Sequence, residues 1–235
     1  MSDWRNLERR FTEKLSLTRR PVGVAFLDHE PSDIPAFRQT EPAGCGFWRR
    51  AAQGEAFYTV PADHYNCPIG SYTHNISLPE ERSHELMDML NLMFSSGYLR
   101  PEEVPGVFKL QSAPRAIAYA PLADSKRDPS VVLFVCRPKT AMLLNEAAAR
   151  AGAGASLPLL GRPTCMALPA AMTKGTTTTV GCIGNRVYTG LGDDELYVVV
   201  PGTHLAQVAD ALDTVVTANE KFADYAQSRQ SAFSH

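Results

Sequence analysis

The sequence lacks an apolar run of the roughly 18–20 residues that a membrane-spanning helix needs. It also lacks a surplus of basic charge, with 23 Lys and Arg against 25 Asp and Glu. Because nucleic-acid phosphates are bound by clustered positive charge, this balance argues against a nucleic-acid-binding protein. The charged N-terminal segment has no apolar core of the kind found in secretory signals. We therefore expect a cytoplasmic protein whose partners include neither nucleic acid nor a membrane.

Several widespread catalytic motifs are also missing. No predicted strand is followed by G-x-G-x-x-G, and neither G-x-S-x-G nor H-E-x-x-H occurs. Lys174 lies in a stretch rich in Gly and Thr, but the order of residues is not that of a phosphate-binding P-loop. These absences argue against a dinucleotide-dependent oxidoreductase, a serine hydrolase and a zinc protease.

The composition favours one folded domain with a mixed α+β architecture. The 235 residues are 44% hydrophobic, which supplies enough apolar side chain for a core. Apolar runs predict strands at 22–27, 115–120, 130–136 and 195–200, and helical periodicity predicts helices at 3–16, 79–95, 140–150 and 204–228. The order of these elements has no regular βαβ repeat. We predict a single domain, 1–235, with two pseudo-repeated halves at about 1–125 and 126–235.

Three segments of the first half bear on a possible site. Residues 45–53 are expected to form a short helix closed by Gly54. The stretch 61–78 is rich in turn-forming residues and is expected to be a loop. Pro79 then begins a helix as a first-turn residue. The side chains expected on the core face of this helix are Leu86, Met89, Leu90 and Met93.

Cysteine is scarce, and the odd number of five in a cytoplasmic chain argues against a set of structural disulfides. Two stretches around cysteines resemble each other, since each has a cysteine, an Ala-Ala pair, a glycine and a second cysteine. The first runs through Cys45, Ala51, Gly54 and Cys67, and the second through Cys165, Ala170, Gly175 and Cys182. Each follows an apolar strand, and helices near Pro79 and His204 come after them. We interpret this as an internal pseudo-duplication of a strand–loop–helix–loop unit around one sheet.

Such a duplication brings the cysteines Cys45, Cys67, Cys165 and Cys182 near a shared centre. Thiolates are soft ligands that suit an iron–sulfur cluster or zinc. We predict a [4Fe–4S] cluster as the cofactor, with zinc as the alternative. No pair has C-x-x-C spacing, and buried apolar cysteine is the alternative for each one singly. Cys136 differs, because it ends an apolar strand and is expected in the core.

Six short motifs can be compared with known families. They are Pro21-Val22-Gly23-Val24, Cys45 with Ala51-Ala52 and Gly54, Cys67-Pro68-Ile69-Gly70, Gly161-Arg162-Pro163-Thr164-Cys165, Gly181-Cys182-Ile183-Gly184-Asn185-Arg186, and Asp194-Glu195. Through this set, which spans most of the chain, the protein resembles the family called "domain of unknown function 169". The resemblance implies membership of that family and brings no established activity, so function has to be argued from the residues.

Three further side chains are candidate catalytic residues. His64 and His74 flank Cys67 in the predicted loop, where they are suited to moving protons. Arg186 follows Cys182 closely and is suited to orienting a substrate. The alternatives are surface histidines and a solvated or salt-bridged arginine.

Arg162 and Tyr188 are the candidate substrate-binding residues, suited to an anionic or polar molecule beside the metal. The sequence therefore predicts an iron–sulfur protein, either an enzyme or a redox protein, that acts on a small polar molecule. Its chemistry is redox or Lewis-acid chemistry, and its partner is a small-molecule substrate or an electron-transfer partner. A homodimer is left open. The alternatives are a non-catalytic protein that binds zinc or a small ligand, and a thiol–disulfide redox protein.

Overall fold

The protein is built around a six-stranded antiparallel sheet, in a computed structural model that describes residues 3–154 and 159–232. The strands are β1 (Val22–Leu27), β2 (Phe57–Thr59), β3 (Ala116–Pro121), β4 (Val131–Cys136), β5 (Thr177–Thr179) and β6 (Leu196–Pro201). The long central strands are almost wholly apolar, as expected of strands that are covered on both faces. The predicted mixed α+β fold is confirmed.

Helices cover the two faces of this sheet. One face carries α1 (Trp4–Leu15), α5 (Pro138–Arg150) and α8 (Leu205–Ala232), and the other carries α2 (Gly46–Ala52) and α6 (Ala167–Lys174). Alternation along β4 divides its side chains between the faces, with Phe134 and Cys136 on the α1 side and Leu133 on the α2 side. In the part of the chain that is described, no helix is both long and apolar enough to cross a membrane.

The order of strands across the sheet, β2-β3-β1-β4-β6-β5, reads symmetrically outward from its middle. The central strands β1 and β4 pair antiparallel, so an approximate twofold axis passes between them. Both halves share the order long strand, short helix, three-residue strand, second short helix and long strand, and in the second half the 13-residue helix α5 comes between β4 and α6. These second helices are α3 (Pro68–Thr73) and α7 (Ile183–Thr189). Both β3 and β6 end in a proline that leads into a 3-10 turn.

The positions of α3, α4 and α8 correct two expectations about the sequence. The helix α4 (His84–Ser95) lies between α3 and β3, whereas α8 follows β6, so the helices near Pro79 and His204 are not equivalent. No side chain on α4 is fully buried, but the residues predicted for its core face, Leu86, Met89, Leu90 and Met93, are half-buried, whereas Met87 and Leu92 are exposed. The stretch 61–78 is not a loop, because it contains a 3-10 turn at Pro61–His64 and the helix α3, which begins at a favourable proline. The single-domain assignment with its halves stays a prediction.

Candidate functional site

Four cysteines occupy matching positions in the two halves, each at the beginning of a short helix. Cys45 is the N-cap of α2, and Cys165 lies in the turn Thr164–Met166 that leads into α6. Cys67 and Cys182 are the N-caps of α3 and α7. Each of these helices begins where a loop crosses the same face of the sheet. The local turns therefore place one pair of thiols from each half on that face.

The two halves interlock at this point. Helix α2 contacts α7 of the other half, and α3 contacts the turn that holds Cys165. As a result, charge on Cys67 and Cys182 influences the ionisation of both Cys45 and Cys165. Cys136 is isolated from them, because it faces the core on the opposite side of the sheet.

Burial and mutual repulsion raise the pKa of three of these thiols. Burial, with a smaller contribution from the nearby Cys67, raises the pKa of Cys45 to about 12. Burial also raises the pKa of Cys67 and that of Cys165, where neighbouring cysteines add to the effect. Among the described residues, the main influences on these three pKa values include no Arg or Lys. The raised pKa values of these three thiols therefore arise from burial and from neighbouring cysteines.

Hydrogen-bond donors surround the sulfur atoms. The backbone N–H groups of Gly44 and Gly70 approach Cys67 and lower its pKa, as the predicted tight turns would allow. Thr73 and Asn185 also lower the pKa of a cysteine across the boundary between the halves, although the Thr73 hydroxyl donates to the carbonyl oxygen of Gly70 at 2.9 Å and the Asn185 amide has no hydrogen-bond partner among the described residues. Thr73, on α3, lies beside Cys165, and Asn185, on α7, lies beside Cys45. The sequence motif contained Asn185, but it gave no signal that this residue approaches the thiol of the other half.

A single metal ion and a cluster require different separations between the cysteine sulfur atoms. Among residues 3–154 and 159–232, no three His, Cys, Asp or Glu side chains are positioned to hold a metal ion. A single tetrahedral ion with metal–sulfur bonds of about 2.3 Å requires sulfur atoms only about 4 Å apart. A cubane cluster binds each cysteine to a different iron, so its four protein ligands stand further apart. The cluster and the alternative zinc ion therefore both stay predictions.

The predicted catalytic histidines are core residues. His64 and His74 are each 1% exposed, and their rings lie 5.6 Å apart. His64 shares a 2.9 Å hydrogen bond with Thr59, whereas neither ring nitrogen of His74 has a partner in the described part of the chain. Burial lowers the pKa of His74 to about 4 and lowers that of His64 as well. They are not surface histidines, and their catalytic role stays a prediction.

Arg186 has a local structural role. Its guanidinium donates hydrogen bonds to the carbonyl oxygens of Gly192 at 2.7 Å, Val180 at 2.6 Å and Glu195 at 3.2 Å. These bonds hold the loop that connects α7 to β6 against Val180, which precedes α7. Its donors are thus engaged by the protein's own backbone, and its assignment as a catalytic residue stays a prediction.

The predicted substrate-binding residues Arg162 and Tyr188 lie at the surface beside the second half of the centre. Arg162 stacks over the ring of Tyr98 at 4.9 Å and lies 3.5 Å from Glu103. Burial raises the pKa of Tyr98, and charge on Cys182 raises it further, so this tyrosine is near both Arg162 and the thiol. The sequence gave no reason to select Tyr98, because it belongs to the insertion that contains α4. Tyr188 is 40% exposed.

Comparison with known proteins agrees with the resemblance inferred from the motifs. No match is found among curated proteins or among solved structures. The model of the family DUF169, described as "Uncharacterised ArCR", matches residues 10–211. This range contains the whole sheet and all four cysteines of the centre. The protein belongs to the DUF169 family.

Proposed function

We propose that the protein binds a [4Fe–4S] cluster through Cys45, Cys67, Cys165 and Cys182. The observation that carries the proposal is the meeting of four thiols, two from each half, on one face of the sheet. A pseudo-symmetric fold supplies them from four separate helix starts, which is an arrangement that suits a multi-iron centre. Bound there, the cluster supplies one-electron transfer or Lewis-acid activation of a small polar molecule.

The surroundings of the sulfur atoms support this assignment. Buried thiols that raise one another's pKa ionise together only when a strong positive charge lies between them, and a metal centre supplies that charge. The amides of Gly44 and Gly70 donate toward Cys67, and such N–H···S contacts stabilise ligated sulfur and adjust a reduction potential. The raised pKa values also disfavour thiol–disulfide exchange, because the thiolate is the attacking species.

The test is anaerobic purification of the full chain, with iron, zinc and acid-labile sulfide measured per chain. The proposal predicts a brown protein with about four iron and four sulfide atoms per chain. Replacing Cys67 or Cys182 by Ser is expected to lower both contents, since a hydroxyl is a harder and weaker ligand. Cys136→Ala is the matched control and should keep them.

Three results would contradict the proposal. A colourless protein with stoichiometric zinc indicates a structural metal site. A colourless, metal-free protein with a reversible disulfide indicates thiol redox chemistry. Loss of iron in the Cys136 variant, with retention in the Cys67 and Cys182 variants, shows that the ligand set is wrong.

A further inference from the structure

A cleft rich in arginine opens on the same face of the sheet as the cysteines. Its floor contains Val22 and Leu133, which pair across β1 and β4 at the twofold axis. Its walls include three arginines and three side chains that bear hydrogen-bond donors, namely Arg19, Arg20, Arg49, Trp48, Thr189 and Tyr197. No Asp or Glu is among the described residues that line it. The described lining therefore contributes three guanidinium groups and no carboxylate.

Two of its arginines are already paired. Arg19 lies 2.7 Å from Glu195 and also donates to the carbonyl oxygen of Gly190. Arg20 lies 2.7 Å from Glu8 and 2.9 Å from Asp124. These pairs hold the two guanidinium groups in place at the rim.

Arg49 is different, because its guanidinium has donor capacity left over. Its nearest carboxylate is Glu41 at 3.5 Å, and Glu41 is held more closely by Arg50. The Nε of Arg49 is buried and has no hydrogen-bond partner among the described residues. The indole N–H of Trp48, a residue that is 3% exposed, is buried without a partner in the same region. Donors that stay buried without a partner are unfavourable, so an acceptor placed in the cleft would satisfy them.

We propose that this cleft binds a small oxyanion of the carboxylate or phosphate type, with Arg49 as its principal ligand and the Trp48 N–H as a second donor. The planar guanidinium fork matches both kinds of oxyanion, and the cleft adds neutral N–H and O–H donors beside the guanidinium groups. The size of the recess suits one such group and not an extended chain. The site is distinct from Arg162 and Tyr188.

Tyr197 connects the cleft to the cysteine centre. Its ring contacts Trp48 at 5.7 Å, and its hydroxyl donates to Thr189 at 3.2 Å. Burial raises the pKa of Tyr197; charge on Cys45 raises it further, and charge on Arg19 lowers it. The tyrosine therefore lines the cleft and is near enough to Cys45 to sense its charge. If the proposed function holds, the oxyanion is the anchoring group of the substrate; the anion site itself does not depend on the cluster.

Anion binding can be measured through Trp48, because the chain has only one other tryptophan, Trp4, on the opposite face. In a Trp4→Phe background, succinate and inorganic phosphate are titrated separately at constant ionic strength, with chloride as the reference anion. We expect a saturable change in emission with at least one of them, and the arm that saturates identifies the oxyanion. Isothermal calorimetry on the unaltered chain provides a second measurement that does not depend on the background substitution.

Variants then locate the site. Arg49→Gln is expected to raise the dissociation constant about tenfold, as for the loss of one charge-assisted hydrogen bond. Arg150→Gln removes the same charge from α5 on the opposite face and should change it less than about twofold. Unfolding midpoints close to that of the wild type show that both variants are folded. Equal weakening in both variants, or unchanged binding in Arg49→Gln, would overturn the assignment.

The result is separable from the proposed function, since the titrations are run on metal-free protein as well as on protein as purified. Saturable binding by a chain that never holds iron leaves the anion site standing and refutes the cluster. Iron and sulfide in the expected ratio, with neither emission change nor heat from either anion, refutes the anion site alone.

Discussion

Gly70 makes the closest approach to a cysteine of the centre and provides a sharp test of its packing. A Cβ atom at this position would lie 2.9 Å from the sulfur of Cys67 and 3.4 Å from its Cβ. At Gly184, in the corresponding helix of the other half, the nearest atom would be 3.9 Å away. Alanine in a helix is favoured over glycine by about 0.5–1 kcal/mol, whereas overpacking costs about 1–3 kcal/mol. Gly184→Ala should therefore stabilise the fold slightly. Gly70→Ala should be less stable than Gly184→Ala by about 1–3 kcal/mol, which is the overpacking cost.

The expected movement at Gly70→Ala is that of the Cys67 sulfur, since the alanine methyl group takes its place. The displaced sulfur would lose its approach to the amides of Gly44 and Gly70. Urea unfolding of both variants measures the difference in stability, and the rate of alkylation of Cys67 in metal-free protein reports the displacement. The reasoning fails if Gly70→Ala is as stable as Gly184→Ala and Cys67 reacts at its original rate.

Three other predictions concern residues whose surroundings the structure defines. Cys136→Ala should cost roughly 1 kcal/mol in thermal or urea unfolding, because it truncates a small side chain in the core opposite the centre. Burial lowers the pKa of folded His74 to about 4 from 6.5, so only the unfolded chain takes up this proton as the pH falls between those values. The free energy of unfolding should then decrease by up to about 3 kcal/mol as the pH falls from 6.5 to about 4. His74→Gln should flatten this slope, whereas His84→Gln, at an exposed position, should not. Arg186→Leu should destabilise the fold by about 2–3 kcal/mol through loss of bonds to three carbonyl groups; unchanged stability with lost activity would instead support the catalytic role.

The strands and most helices followed from local patterns. The apolar run at 22–27 forms β1 over the predicted residues, and the alanine-rich helix predicted at 140–150 is α5, which begins two residues earlier at Pro138. Helix α1 has the predicted Trp4, Phe11 and Leu15 in the core. These elements could be predicted because burial on one face imposes a period of about 3.6 or 2 residues on the sequence itself.

Local patterns did not predict how deeply two segments of the first half are buried. Helix α4 has the apolar periodicity of a packed helix, yet the insertion that carries it lies on the outside of the fold. His64 and His74 lie in a segment with the composition of a loop, yet a 3-10 turn and α3 bring both rings into the interior. Periodicity reports which face of an element is apolar and not whether another element covers it.

The sequence by itself determined the repeated cysteine motif, the separate character of Cys136 and the local elements on which they lie, because each depends on neighbouring residues. Only the tertiary structure decided that β1 and β4 meet antiparallel at an approximate twofold axis, and that each half's first cysteine faces the other half's second helix. It also brought Arg19 and Arg49 to one cleft and engaged Arg186 with backbone carbonyls. These contacts join residues far apart in the chain, and their partners are selected by the packing of the whole sheet, which no local pattern contains.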